Sequence, residues 1–321
     1  MSEEICNADV LNSILGKAFW IESQMENLHH WMGYFVAADR YKDLLFRLSQ
    51  ESEEHKGILV KLSENMDGIR LKDAALEQSK FQFDFKGMSD EEILRTILKN
   101  DELARDIYQR IHIKTDRELI TRIWRIGDPG EFYKTIESLI KGEIEHVKAI
   151  QAVLQREESF ATDVKRISGR IKQGYVYLVK EKKPVLGFKV FSDLVESGVR
   201  GLCVTRQHPD DLKKEHSLGD AQIYWLTMSN AENGISATNM ERLNKIIAEF
   251  TAQHGNSIVL LDGLEFLIVH NDFSKVLKFV HYVRDTVIMN KSRMLIPVDV
   301  DTLEKRDAEL LARELEPLEV S

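Results

Sequence analysis

The chain has 321 residues, 43% of them apolar and 30% charged, with a formal charge of −9. This composition excludes a fibre or a disordered polypeptide, leaves length for two domains of ordinary size, and opposes non-specific binding to nucleic acid. No run approaches ~18 uninterrupted apolar residues, Met1-Ser2-Glu3-Glu4 is acidic where a secretory leader is basic, and Cys6 and Cys203 form no C-x-x-C pair, so a cytoplasmic chain without membrane span, disulfide framework or cysteine-bound metal is expected.

Up to Arg156 the apolar residues recur at helical spacing and proline occurs once, at Pro129; beyond Gly174 short β-rich runs alternate with helical ones. The expected organisation is a helical bundle over 1–158, a polar linker over 159–173 containing Ser168-Gly169, and an α/β domain over 174–321 with a mostly parallel sheet between two helical layers.

The first helix, roughly 8–36, carries a stripe of Leu11, Leu15, Ala18, Glu22, Met25, His29 and Met32, with Glu22 its only carboxylate. The second, roughly 40–63, carries Tyr41, Leu44, Leu48, His55, Ile58 and Leu62, with Glu51 and Ser52 in the turn before His55. A long connection over about 64–88, with Phe81, Phe83 and Phe85, has the length to cross a bundle and make helices two and three parallel. Ser89-Asp90-Glu91-Glu92 is a capping box opening a third helix, whose stripe reads Leu94, Ile97, Asp101, Ala104, Tyr108 and Ile111. After a short helix near 116–126, Pro129 is placed to start a fourth. There Glu143 and His146 lie three residues apart beside Ile136, Ile140, Ile150 and Val153. Residues so spaced share one face of a helix, and burying both costs several kcal/mol unless something pairs with them.

A lone histidine on an apolar stripe is usually a satisfied core histidine. Here, however, four helices offer Glu22, His55, Asp101, Glu143 and His146 to one interior. With Gln50-Glu51-Ser52-Glu53-Glu54-His55 and Asp101-x-x-Ala104-x-x-x-Tyr108, this set resembles the ferritin-like superfamily, and within it the rubrerythrin-like di-iron proteins. The resemblance implies a four-helix bundle in which two helices each give a carboxylate and two each give Glu-x-x-His. It implies metal ligation by Glu22, Glu51, His55, Asp101, Glu143 and His146, two irons with manganese as an alternative, and redox chemistry with dioxygen or peroxide. The chain departs from the pattern twice: Ser52 stands where the second helix would offer Glu, and Asp101 is shorter than the usual Glu. Glu51 lies close enough to the same face to substitute for Ser52, and a degenerate or single-metal site is equally allowed. Peroxidase rubrerythrins usually carry a four-cysteine rubredoxin-like iron site; with two cysteines, this chain would need an external electron donor.

In the second half the expected elements are strands at 175–179, 199–205, 222–226, 257–261 and 293–298, and helices at 188–196, 238–254 (opened by Thr238-x-x-Glu241), 273–289 and about 301–316. Tyr177-Leu-Val-Lys-Glu181, Gly201-Leu-Cys-Val-Thr-Arg206 through Pro209, Leu260-Leu-Asp-Gly-Leu-Glu-Phe-Leu267 and Leu295-Ile-Pro-Val-Asp299 resemble an uncharacterised, largely archaeal family, number 835 among the domains of unknown function. The layout is also similar to the RecA/KaiC-type ATPase core, with Ile258-Val-Leu-Leu-Asp262 in the place of a Walker B strand. A Walker A loop needs G-x-x-x-x-G-K-[ST]. Lys182-Lys-Pro-Val-Leu-Gly187-Phe-Lys189 lacks the first glycine and separates Gly187 from Lys189, and Pro184 has no N–H to donate. No ATP hydrolysis is expected, although an anion or nucleotide could still meet Thr205, Arg206 and Asp262 at the sheet edge; alternatively Arg206 and Asp262 form an ion pair that closes the site.

Two functions from different classes follow. One is a metal-dependent redox or sensor protein, a weak oxidoreductase at most, whose α/β domain passes the state to a protein partner. The other is a metal-free adaptor in which the bundle docks or dimerises and the α/β domain is a platform. Neither nucleic acid nor membrane is expected as a partner.

Overall fold

The computed structural model describes residues 4–35, 39–71, 88–229, 231 and 233–318. The chain divides into two compact units, Met1–Glu158 and Ser159–Ser321. The first is helical: α1 (Ala8–Phe35), α2 (Asp39–Glu64), α3 (Asp90–Lys114), the short α4 (Arg117–Ile123) and α5 (Gly130–Ser168). Each long helix buries one stripe at the helical period. Leu11, Leu15, Ala18, Glu22 and Met25 are buried on α1, and Leu94, Ile97, Asp101, Ala104, Tyr108 and Ile111 on α3. On α2 the buried positions are Tyr41, Leu45, Leu48, Ser49, Ser52, His55, Leu59 and Leu62, with Leu44 and Ile58 at the edge of the same core. The expected crossing by the connection after α2, with its three phenylalanines, falls on 72–87, outside the described residues, as do the side chains of His29 and Met32.

Local chemistry fixes the ends of these helices. The Ser89 hydroxyl accepts the Glu92 N–H at 3.3 Å while Glu92 Oε2 accepts the Ser89 N–H at 2.8 Å, so the expected capping box forms. Asp128 Oδ1 accepts the Gly130 N–H at 2.8 Å, and α5 starts one residue after Pro129. It then runs 39 residues to Ser168, through the first ten positions expected as linker. Phe160, Val164, Ile167 and Ile171 continue an apolar stripe that packs in the core of the second unit, and burial of that stripe outweighs the polar composition around it.

The second unit has one parallel sheet: β1 (Tyr175–Lys180), β2 (Gly201–Thr205), β3 (Gln222–Leu226), β4 (Gly234–Ile235), β5 (Ile258–Leu261), β6 (Arg293–Val298) and β7 (Glu316–Pro317). Their order is β4-β3-β2-β5-β6-β1-β7, and each pairing of these strands is parallel. The helices are α6 (Val185–Glu196), α7 (Pro209–Glu215), α8 (Met240–Gln253), α9 (Leu264–His270), α10 (Phe273–Met289) and α11 (Lys305–Glu314). Side chains alternate along each strand: Val176 and Leu178 face a core with α8 to α11, whereas Tyr177 and Val179 face a core with α6. Two helical layers thus enclose the sheet. Several elements differ from expectation. Helix α6 begins at Val185, with Pro184 at its N-cap position; α8 is capped by Asn239, whose Oδ1 accepts the Arg242 N–H at 3.0 Å, rather than by Thr238; and α7 and α9 are additional short helices.

Candidate metal centre

Four helices bring their polar inward residues to one place. Glu22 comes from α1, His55 and Glu51 from α2, Asp101 and Tyr108 from α3, and Glu143 and His146 from α5; all but Glu51 are buried. Glu143 is central. Its Oε1 lies 2.8 Å from His55 Nδ1 and its Oε2 lies 3.7 Å from His146 Nδ1. Glu22 Oε1 is 3.4 Å from His55 Nδ1 and accepts the Tyr108 hydroxyl at 2.7 Å. Asp101 Oδ2 is 4.0 Å from His146 Nδ1, and neither atom has a hydrogen-bond partner. The two imidazoles stack with centroids 5.3 Å apart. His55, Glu143 and His146 each offer a ligand atom, all within 4.8 Å of one another.

Glu143 therefore divides the cluster into two corners, Glu22 with His55 on one side and Asp101 with His146 on the other. Glu51 lies outside both: its Oε2 is 2.6 Å from His146 Nε2, the nitrogen turned away from Asp101 and Glu143. Ser52 is buried one turn before His55, in the place of the missing carboxylate. Gly142 was not singled out from the sequence. A Cβ there would stand 2.5 Å from His55 Nε2 and 2.7 Å from its Cε1, so only glycine lets the imidazole lie against α5. Tyr108 shares its stripe with Asp101, and the hydrogen bond it donates to Glu22 exploits the partial polarity of tyrosine in a core.

The electrostatics follow from burial of like charges beside two imidazoles. Burial raises the Glu22 carboxyl above its ordinary value, against the bonds from His55 and Tyr108. Burial and then the charges of Glu143 and Glu22 raise Asp101 well above its own. Burial works against the imidazolium of His55, but hydrogen bonds to Glu143 and Glu22 and their charges outweigh it and push His55 up to about 10. Burial also acts against ionised Glu143, yet the two neighbouring imidazoles hold it below the ordinary carboxylate range. Buried carboxylates and imidazoles, two of their atoms unsatisfied, fit a divalent cation.

The α/β unit has a cleft of about 250 Å³ at the C-terminal ends of its strands, lined by Glu181, Lys182, Arg206, Asp262, Glu265 and Phe266 among others. The strand order reverses beside β2, which has β3 on one flank and β5 on the other, and this is the usual place for a ligand in an open α/β sheet. Thr205 and Asp262 meet there: the Thr205 hydroxyl donates to Asp262 Oδ2 at 2.7 Å, and the Arg206 N–H approaches the same oxygen at 3.4 Å. The Arg206 guanidinium instead donates to the Leu226 carbonyl and lies 3.8 Å over the Phe266 ring. Gly263, at φ +113, leaves room for it; a Cβ there would come within 2.6 Å of Arg206 Cγ. At the start of α6 the Leu186 and Gly187 N–H groups donate to the Glu181 carboxylate at 2.8 and 2.9 Å. An amide pair that could cradle a phosphate is filled by a side chain of the same segment.

Residues 179–315 match the family described as "Protein of unknown function (DUF835)". The DUF835 match runs from the last two residues of β1 through α11 and so includes the cleft, Glu181 and Asp262; it covers no residue of the helical unit. Comparison with curated proteins found no match. No described helix is long and apolar enough to cross a membrane.

Proposed function

We propose that the helical unit is a ferritin-like, rubrerythrin-like four-helix bundle holding one or two iron or manganese ions, and that it serves metal-dependent redox sensing or scavenging. In this reading the DUF835 domain passes the state of the centre to a protein partner without hydrolysing ATP. The supporting observation is the pair Asp101 Oδ2 and His146 Nδ1, buried without partners and facing each other beside Glu143. Few buried polar atoms in a native interior lack a partner, and these two face each other beside a carboxylate, so that one cation satisfies both. Glu22 and His55 would hold an ion in one corner, Asp101 and His146 in the other, with Glu143 offering an oxygen to each. Carboxylate and imidazole donors suit iron or manganese better than soft metals. Either metal, when bound, supplies one-electron chemistry toward dioxygen or peroxide.

The chain's own residues would exclude water, fix the carboxylates and limit turnover. Tyr108 holds Glu22 in place, and Gly142 admits the His55 ring. Cys6 is exposed in one unit and Cys203 buried in the other, so neither builds an internal electron-transfer site, and electrons would come from an external donor. Elemental analysis of protein purified without added metal tests the proposal. The expected result is iron or manganese at up to about two ions per chain, sharply reduced in His146→Ala. The second reading, a metal-free docking bundle, is favoured by the hydrogen bonds that already pair Glu22 with Tyr108 and His55 with Glu143. It prevails if purified protein carries no metal and chelators leave its unfolding unchanged.

A further inference from the structure

We propose that Glu51 is a positioning residue that holds His146 with Nδ1 turned inward, so that the Asp101–Glu143–His146 corner takes a divalent ion before the Glu22–His55 corner does. This rests on the metal-binding reading above. Glu51 is the one carboxylate of the cluster that reaches solvent: its side chain is 39% exposed, against 2% for Glu22, Asp101 and Glu143. With Glu51 Oε2 at 2.6 Å from His146 Nε2, that nitrogen carries the hydrogen and donates it. A neutral imidazole then has its lone pair on the other nitrogen. Nδ1 is the buried nitrogen without a partner, 3.7 Å from Glu143 Oε2 and 4.0 Å from Asp101 Oδ2. Two donors each about 2.1 Å from one ion stand about 3.0 Å apart at a right angle and at most about 4.2 Å apart. Both observed separations lie in that interval. A carboxylate on the outer nitrogen is the usual support of a metal-bound histidine: it sets the tautomer and makes the inner nitrogen more basic.

The opposite corner is closed by its own bonds. His55 Nδ1 is 2.8 Å from Glu143 Oε1, nearer than two ligands of one ion stand at a right angle, and Tyr108 donates to Glu22. An ion entering there must displace a hydrogen bond already made, whereas in the Asp101 corner it satisfies two atoms that have none. The unequal filling thus follows from which buried atoms are paired.

The test titrates the chelator-treated full chain with Co(II), following the visible absorption band, in wild type, Glu51→Ala, Glu51→Gln, His146→Ala and His55→Ala, with the ¹⁵N resonances of His146 recorded on metal-free protein. The expected result is one tight equivalent before a weaker one, and an Nε2–H tautomer at His146. Glu51→Ala should weaken the first equivalent about 10- to 100-fold without changing the number bound, and should mix the tautomers. Glu51→Gln, whose amide oxygen still accepts from Nε2, should recover most of the affinity. His55→Ala should keep the tight equivalent and His146→Ala lose it. Equal filling of the two positions, loss of a whole equivalent in Glu51→Ala, or an Nδ1–H tautomer in the unsubstituted chain overturns the inference while leaving the metal reading standing. A wild-type chain that takes up no Co(II) overturns both.

Discussion

Replacing Gly142 by alanine tests whether the His55 imidazole is seated against α5. In an open helix interior, glycine to alanine is stabilising by about 1 kcal/mol. At position 142 the added methyl would stand 2.5 Å from His55 Nε2, and crowding a packed interior costs about 1–3 kcal/mol. The displaced ring would also give up its 2.8 Å bond to Glu143, a hydrogen bond to a charged group worth about 1.5–3 kcal/mol. The net expectation is a loss of about 1.5–5 kcal/mol. Gly57, on α2, supplies the control, because a Cβ there meets nothing within 4 Å; Gly57→Ala should gain about 1 kcal/mol. Urea unfolding followed by tryptophan fluorescence is the assay. In a Trp225→Phe background the remaining tryptophans, Trp20, Trp31 and Trp124, all lie in the helical unit. A Gly142→Ala chain as stable as Gly57→Ala would refute the packing that places His55 at the centre.

The pH dependence of stability in the metal-free chain follows from His55, which is held at about 10 against an ordinary 6.5. Its contribution is complete below about 6.5 and is lost as pH rises toward 10, and the raised Glu22 and Asp101 carboxyls act in the same direction. The urea midpoint in chelator should therefore fall between pH 6.5 and 9.5, and His55→Gln should flatten the slope; a midpoint that rises with pH over that range contradicts the assigned ion pairing. Tyr108→Phe removes the donor to Glu22 and should cost about 1.5–3 kcal/mol, measured by the same unfolding assay. Glu181→Ala leaves the Leu186 and Gly187 amides without their acceptor and should destabilise the DUF835 domain by about 1–2 kcal/mol, as loss of a helix cap does. Wild-type protein should release no phosphate from ATP, and micromolar or tighter ATP binding by equilibrium dialysis would show that the cleft accepts a nucleotide despite Glu181.

Much of the centre was legible because helical periodicity is a one-dimensional signal. The stripe of α3 reads directly as Leu94, Ile97, Asp101, Ala104, Tyr108 and Ile111, and Glu143 with His146 falls on the buried face of α5. What the period cannot encode is which atom of a side chain faces which neighbour. Glu51 shares a face with His55, yet its carboxylate meets the outer nitrogen of His146 on another helix. Gly142 was equally silent, since its role lies in a contact with a residue 87 positions earlier. In the second half the five longer strands are readable from β-rich runs, whereas the two-residue β4 and β7 offer no such run and Glu316 lies in β7 rather than in the last helix; α7 does carry a start signal, since His208-Pro209 places proline at the first helical position. Composition misled at 159–168, where Ser159 and the charged residues concealed an apolar spacing carried by Phe160, Val164 and Ile167. Thr205, Arg206 and Asp262 converge at the sheet edge, but the alternative of an Arg206–Asp262 ion pair is not formed: the Arg206 backbone N–H approaches Asp262, while the carbonyl of Leu226 and the ring of Phe266 hold the guanidinium.

The carboxylate of Glu181 lies against the first amides of α6 as an anion tethered to the chain that uses it. A tethered anion is neither diluted nor hydrolysed, so those amides have an acceptor at hand at any ligand concentration. The beginning of that helix thus carries its own counter-charge, and a phosphate approaching it has to displace a group that never leaves the neighbourhood.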